Sequence, residues 1–245
     1  MTILKTEEEI LIMREGGKIL SSIMKELKNN VSPGVKTIDL NSLAEDLILK
    51  NNGTPSFKGY NGFPFALCTS VNEVIVHGFP SNYVLKEGDI LSLDLGVYYK
   101  GFHTDMAVTI PVGEVDGDGL RLIRTAKKAL KRGINNSKLG NTIGDIGNTI
   151  SRYISKSGFG VVEGLCGHGI GRDIHEDPQV LNEGKRRSGE KIIPGMVFCI
   201  EPMVSAGSTK IKNTGSGIET ADKSLSTHFE HTLAVTKKGV IVITE

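Results

Sequence analysis

Apolar residues recur along this chain with two spacings, and the change from one to the other marks its elements. From residue 6 to about 30 the spacing is helical: Ile10, Met13, Gly17 and Leu20 follow Thr6-Glu7-Glu8-Glu9, which reads as a capping box. Ser32-Pro33-Gly34 ends that run. Leu40, Leu43, Ala44, Leu47 and Ile48 then set the face of a second helix over 37–50, which Asn51-Asn52-Gly53 stops. Strand-like pieces follow at 66–70 and 74–77. The clearest signal is a hairpin, 89–99 and 102–111, turning at Lys100-Gly101. Two more helices are expected over 119–135 and 142–157. The remainder reads as β-rich, with strands over 161–162, 196–203, 227–235 and 240–244. No linker, low-complexity tract or charge block intervenes, so the pattern predicts a single α+β domain over 1–245.

The pattern also echoes itself. Gly88-Asp89-Ile90-Leu91-Ser92-Leu93-Asp94 resembles Gly195-Met196-Val197-Phe198-Cys199-Ile200-Glu201: a glycine, an apolar strand, and a carboxylate six residues on. Upstream, Gly34-Val35-Lys36-Thr37 and Gly140-Asn141-Thr142-Ile143 each open a helix. If the echo reflects duplication, carboxylates from two halves meet at a pseudo-twofold axis.

Composition narrows the class without naming a chemistry. Lysine plus arginine number 29 against 28 aspartates and glutamates, and a net charge of +1 gives no sign of a DNA binder or a polybasic membrane anchor. Cys68, Cys166 and Cys199 form neither a disulfide framework nor a C-x-x-C zinc pair, which suits a reducing compartment. The N-terminus turns acidic by Glu7 and lacks a signal-peptide run, and no stretch approaches the ~20 apolar residues of a membrane span. The expectation is a cytoplasmic monomer without a membrane partner.

The carboxylates change the picture. Asp94 and Asp105 lie on opposite arms of a hairpin with a two-residue turn. Their numbers sum to an odd value, so both side chains leave the same face. A lone buried aspartate is ordinarily met by an arginine or a backbone hydrogen bond. Here Glu201 and Glu230 occur in equally apolar strands, and none of the segments bearing these acids holds a lysine or arginine. Uncompensated interior carboxylates repel one another and are costly to bury unless a cation sits among them. His168, within Gly167-His168-Gly169-Ile170-Gly171, offers an imidazole where glycines would let the backbone bend and bring the ring close to a ligand. Such an oxygen-rich set favours Mn, Fe or Co and also admits Zn. Too few ligands exist for two closed shells, which leaves positions open for water and substrate.

At this point the chain resembles a known family. His77-Gly78 with Pro80, Gly101-Phe102-His103-Thr104-Asp105, Gly167-His168-Gly169-Ile170-Gly171-Arg172, His175-Glu176-Asp177-Pro178, Ile200-Glu201-Pro202 and Phe229-Glu230-His231-Thr232 are together similar to the type I methionine aminopeptidases, in order and over nearly the whole length. The resemblance implies the pita-bread α+β fold, two pseudo-symmetric halves around a curved antiparallel sheet. It implies two divalent metal ions, with Asp94 chelating one, Asp105 and Glu230 bridging both, and His168 and Glu201 completing the other. It implies removal of N-terminal methionine from nascent polypeptides, near the ribosome, when the next residue is small. Glu201, His175 and His77 would carry catalysis; His77, His175, Cys68, Tyr60, Phe57 and Phe63 would hold the substrate. Phe57, Phe63 and Ile174 stand where relatives often carry other residues, and no tryptophan occurs near Ser216.

Three rivals share parts of this pattern. Aminopeptidase P and prolidase usually carry a sizeable N-terminal domain, whereas about seventy residues precede His77 here. Type II methionine enzymes carry a C-terminal insertion for which there is no room. Non-catalytic pita-bread proteins lose ligands, and this chain presents all five.

Overall fold

The structure is a computed structural model describing all residues 1–245. Helix α1 (Glu7–Asn29) begins on the expected capping box: Thr6 Oγ1 accepts from the Glu9 N–H at 3.2 Å, and the Glu9 carboxylate accepts from the Thr6 N–H at 2.8 Å. Helix α2 (Thr37–Lys50) follows, then strands β1 (Thr54–Pro55), β2 (Leu67–Val71) and β3 (Val74–Val76). Strands β4 (Ile90–Tyr99) and β5 (Phe102–Pro111) form the hairpin. Tyr99 pairs with Phe102, leaving Lys100 (φ 48) and Gly101 (φ 93) as a two-residue turn in the left-handed region, whose twist matches the strands. The first sheet runs β1-β4-β2 with β5 on β4, and α1 and α2 cover it through Leu20, Leu27, Leu40, Ile48, Leu91 and Leu93.

The second half repeats this plan. Helices α3 (Gly117–Asn136) and α4 (Ile143–Lys156) precede β6 (Gly160–Val161), β7 (Cys166–Gly169), β8 (Glu176–Leu181), β9 (Val197–Ile200) and β10 (Met203–Ser205). Then come β11 (Ile211–Asn213), β12 (Ile218–Thr220), β13 (Ser226–His228), β14 (His231–Thr236) and β15 (Gly239–Val242). A sheet in the order β15-β14-β9-β7-β8 lies under α3 and α4, with Leu122, Ala126, Ile146, Ile150, Phe198 and Leu233 between them. Two small sheets, β13-β10-β6 and β11-β12-β3, close the ends. No helix is long and apolar enough to cross a membrane.

The internal echo is structural. Gly88 (φ 87) and Gly195 (φ 93) share a left-handed backbone that only glycine adopts at little cost. An isolated bridge joins Lys36 to Val84 in one half and Thr142 to Lys191 in the other, each at the start of a helix and four residues before the corresponding glycine.

Two expected strands are interrupted. The 196–203 strand stops after Ile200 and resumes at Met203; the 227–235 strand stops after His228 and resumes at His231. The register nevertheless runs through: Ile200 faces His231 and Met203 faces His228, so Glu201 stands opposite Glu230. Pro202 has no N–H to donate, and the Glu230 N–H turns away to Ala107 O at 2.9 Å, in the first half. Glu201 and Glu230 therefore sit in the breaks and not, as the sequence suggested, within strands.

Candidate functional site

The hairpin presents both aspartates on one face. Asp94 pairs with Ala107 and Asp105 with Gly96, which makes the two acids diagonal neighbours. Cys68 lies opposite Asp94 on β2. Across the seam, Thr232 Oγ1 accepts from the Asp105 N–H (2.9 Å) and donates to Asp105 O (2.8 Å), clamping β14 against β5. Asn182 Nδ2 donates to Glu201 O at 2.9 Å and fixes the break from the other side. All four acids are nine-tenths or more buried: Asp94, Asp105, Glu201 and Glu230.

His168 extends from β7, where Nδ1 donates to Gly169 O at 2.9 Å, so Nε2 keeps its lone pair and lies 3.6 Å from Glu201 Oε1. The flanking glycines serve packing, not the bend expected of them. A Cβ on Gly167 would stand 2.3 Å from Cys199 O, and one on Gly169 would stand 2.0 Å from Asp177 O. His77 adopts φ 57, a strained conformation for a side-chain-bearing residue, and Gly78 must stay bare because a Cβ would meet Thr69 O at 2.5 Å. His175 Nδ1 contacts Tyr60 Oη at 2.9 Å, and its ring packs edge-on to His168 with centroids 4.3 Å apart. Its neighbour Glu176 anchors the segment. That carboxylate pairs with the buried Lys5 ammonium and accepts from the Arg172 N–H at 2.8 Å.

All the sequence-selected residues converge on one cavity of about 870 Å³: Phe57, Tyr60, Phe63, Cys68, His77, Asp94, Asp105, His168, Ile174, His175, Glu201 and Glu230. Among the lining residues that were not anticipated, Phe79 and His228 bear on the site. Phe79 packs edge-on to Phe63 with centroids 5.2 Å apart. His228 is 2 % exposed, with Nε2 3.2 Å from Glu201 Oε2. The alternation of a strand places residue 228 on the face of residue 230, so its proximity was legible beside Glu230. Near Ser216 the wall is built of Asn213, Gly215, Gly217 and Ile218.

Burial raises every one of these carboxyls. Desolvation, then repulsion from Asp105 and Glu201, lifts Asp94 well above its usual range; Glu230 is lifted likewise. Asp105 and Glu201 are pushed up to about 7, chiefly by desolvation. Burial lowers His168, His175 and His77, so all three rings are held neutral, with donor and acceptor nitrogens available. No lysine or arginine lines this cavity, and Asp94 Oδ1 and Glu230 Oε1 are buried without a hydrogen-bond partner. Ligand atoms of Asp94, Asp105 and Glu230 lie within 4.8 Å of one another, as do those of Glu201, His228 and Glu230. This donor set fits divalent cations: oxygens and imidazole nitrogen, surplus negative charge, and orphaned acceptors aimed inward. A third such group, His168, Cys199 and Glu230, includes a thiol that packs on Thr232 Oγ1 at 3.4 Å and does not line the cavity.

The comparisons agree with this geometry. Residues 12–237 match the family described as metallopeptidase family M24. The methionine aminopeptidase of Clostridium perfringens is 46% identical over 100% of this chain and 99% of its own length. The crystal structure of the methionine aminopeptidase from Thermotoga maritima superposes with a TM-score of 0.97 at 39% identity, covering 100% of both chains, so the fold is the pita-bread one. A Xaa-Pro dipeptidase from Bacillus anthracis shares the fold at TM-score 0.82 and 27% identity, but this chain spans only 62% of it. The full-length match on one side, and the partial one on the other, place the chain in metallopeptidase family M24, within its methionine aminopeptidase branch.

Proposed function

We propose that this hydrolase removes the N-terminal methionine of nascent polypeptides with two divalent ions, held by Asp94, Asp105, His168, Glu201 and Glu230, when the second residue is small. The observation that carries the reading is the buried carboxylate cluster without a basic partner at the floor of a cavity walled by Phe57, Phe63 and Phe79. Co, Mn or Fe suits the oxygen-rich set best, with Zn also compatible. Bound there, such ions would lower the pKa of a water toward neutrality.

The protein's own groups do the rest. The apolar wall and the Cys68 sulfur accommodate a thioether side chain, which packs well against aromatic edges. Glu201 takes a proton from the attacking water and returns it to the leaving amine. With the Tyr60 hydroxyl donating to His175 Nδ1, Nε2 carries the ring proton and donates to the developing oxyanion. His77 contacts the scissile nitrogen. The test is to load metal-free protein with Mn, Fe, Co or Zn and supply Met-Ala-Ser, Met-Lys-Ser and Ala-Pro peptides. Free methionine should come from the first alone. His175→Ala should lose about 10²–10³ in kcat while retaining its metals. Cleavage of Ala-Pro, or normal kcat in that variant, would overturn the assignment.

We also infer that the enzyme works as a cytoplasmic monomer beside the ribosome, in keeping with its three free cysteines. The near-zero net charge conceals a basic face. Helix α3 exposes Arg121, Arg124, Lys127, Lys128, Lys131 and Arg132 against the single acid Asp118, and Arg152, Lys156 and Arg186 stand beside it. Such a stripe suits phosphate backbone. Lys128→Glu/Arg132→Glu should abolish cosedimentation with ribosomes in low salt; unchanged cosedimentation would contradict this reading.

A further inference from the structure

His228 has no task in the reaction described above, yet it is among the most firmly held side chains of the centre. It is 2 % exposed. Its backbone N–H approaches Thr109 Oγ1 at 2.9 Å, the Thr109 hydroxyl approaches His228 O at 2.9 Å, and the residue pairs with Met203 in the ladder. These bonds fix the backbone of His228 at the seam between the two halves, and burial leaves the ring facing the carboxylates.

Neither ring nitrogen has a hydrogen-bond partner, although Nε2 lies 3.2 Å from Glu201 Oε2 and 3.8 Å from Glu230 Oε2. At 3.2 Å a hydrogen bond fails only by direction: the carboxylate oxygen lies off the line along which the ring nitrogen would donate. Two atoms bonded to one cation stand in that relation. With metal–ligand bonds of about 2.0–2.2 Å, neighbouring ligand atoms are roughly 3.0–3.5 Å apart, and each lone pair points at the shared centre, not at its neighbour. The Glu201 contact falls inside that range, and the 3.6 Å separation of His168 Nε2 from Glu201 Oε1 falls just beyond it. A neutral imidazole buried among carboxylates is also the protonation state a metal requires.

We propose that His228 Nε2 is a metal ligand, a second imidazole beside His168 on the cation held by Glu201 and Glu230. The proposal rests on the metal-centre reading above and extends its ligand set. An added nitrogen moves the site's preference from Mn toward Co and Zn, since imidazole favours the later ions. In both histidines Nδ1 would keep its proton: His168 donates it to Gly169 O, and His228 holds it without a partner.

Proton NMR of the full chain loaded with Co(II) tests this directly. A coordinated imidazole gives a paramagnetically shifted, exchangeable ring N–H. Two such signals are expected in the native protein and one in His228→Gln, and His228→Asn provides a second variant should the first fold poorly. Calorimetry should show Co(II) affinity falling by about tenfold or more in the variant, with Mn(II) affinity falling less. A single shifted N–H in the native protein, unaltered in either variant, would show that His228 is not a ligand while leaving the metal centre standing. Absence of Co(II) binding by the native protein would instead remove the metal-centre reading itself.

Discussion

In the amino-terminal half, Asp94 and Asp105 are carried on an unbroken ladder of ten residue pairs, joined by a two-residue turn. In the carboxyl-terminal half, Glu201 and Glu230 also belong to facing strands in a single register, but the ladder lapses at the acids. There the turn is replaced by the excursion 206–225, whose β12 crosses over to pair with β3 of the first half and helps wall the cavity. The difference has a physical origin. On the unbroken hairpin the register sets Asp94 against Ala107 and Asp105 against Gly96, so the aspartates are diagonal neighbours and each directly faces a small uncharged residue. Glu201 and Glu230 stand directly opposite each other, where like charges are least tolerable. Freed of the ladder, the Glu230 N–H secures the first half instead, through Ala107 O. One half is a rigid platform, and the other is shaped around the charge it must share.

If the platform and the broken strands serve one metal centre, removing an acid from either should disable both. Asp105→Asn and Glu230→Gln are each expected to lose bound metal by elemental analysis and to lose more than about 100-fold in Met-Ala-Ser hydrolysis. An asymmetry, with Glu230→Gln retaining full metal and rate, would mean that the second half contributes walls and not ligands.

The next effect separates the metal-free protein from the loaded one. Asp105 in the first half and Glu201 in the second are both pushed up to about 7, whereas unfolded carboxyls ionise near ~4. Between those values the folded chain holds protons that the unfolded chain has released. The carboxyls therefore make metal-free stability fall as pH rises through this range, by up to ~1.4 kcal/mol per pH unit for each group, while below the ordinary histidine value of about 6.5 the buried histidines, held neutral in the fold, oppose that slope. Asp94 and Glu230, raised further, prolong the fall above that point. Added metal should reverse the slope, because protons then compete with the ion. Thermal melts at about pH 7 and 8.5, where the histidines are largely neutral in both states, read this out with and without Co(II). A flat profile without metal would contradict the mutual burial of the acids. Asp94→Asn should raise the metal-free melting temperature at pH 8.

What could be read beforehand follows the same division between the halves. The hairpin was legible because alternation and Lys100-Gly101 act locally, and the parity of 94 and 105 fixed the shared face. The two breaks were not, because Val197-Phe198-Cys199-Ile200 and Thr232-Leu233-Ala234-Val235 look continuous with their surroundings. Pro202 was the one local sign of the first break, and the second depends on the diversion of the Glu230 N–H to Ala107 across the molecule. Strand β8 was missed for another reason: as an edge strand it buries only Pro178 and Val180, and Glu176-Asp177-Pro178-Gln179 resembles a turn. Helix α3 starts at Gly117, two residues before the expected start, because Asp116 Oδ1 accepts from the Gly119 N–H at 2.7 Å. His168, by contrast, was found for a partly mistaken reason, since its glycines mark crowding and not a bend.

The smallest effect compares the two equivalent helices, α2 and α4, each 14 residues long and each entered beside an isolated bridge. Helix α4 has a complete capping box: Thr142 Oγ1 accepts from the Asp145 N–H at 3.3 Å, and the Asp145 carboxylate accepts from the Thr142 N–H at 3.0 Å. At the matching position α2 has Lys36, whose extended backbone (φ −85, ψ 141) suits a cap but whose side chain makes none, although Asp39 already stands three residues on. Lys36 is exposed, and its backbone bridge to Val84 does not involve the side chain. Lys36→Thr should therefore complete the second box and stabilise the protein by roughly 0.5–1 kcal/mol, while Thr142→Ala should cost about 1 kcal/mol. In a chain of this length each change corresponds to a shift of about 2–4 °C per kcal/mol, in opposite directions. Differential scanning calorimetry of metal-loaded protein keeps the carboxylates out of the comparison. If Lys36→Thr lowers the melting temperature, then α2 is held at its entry by contacts of the lysine stem rather than left uncapped, and the two halves differ there in kind and not merely in one missing hydrogen bond.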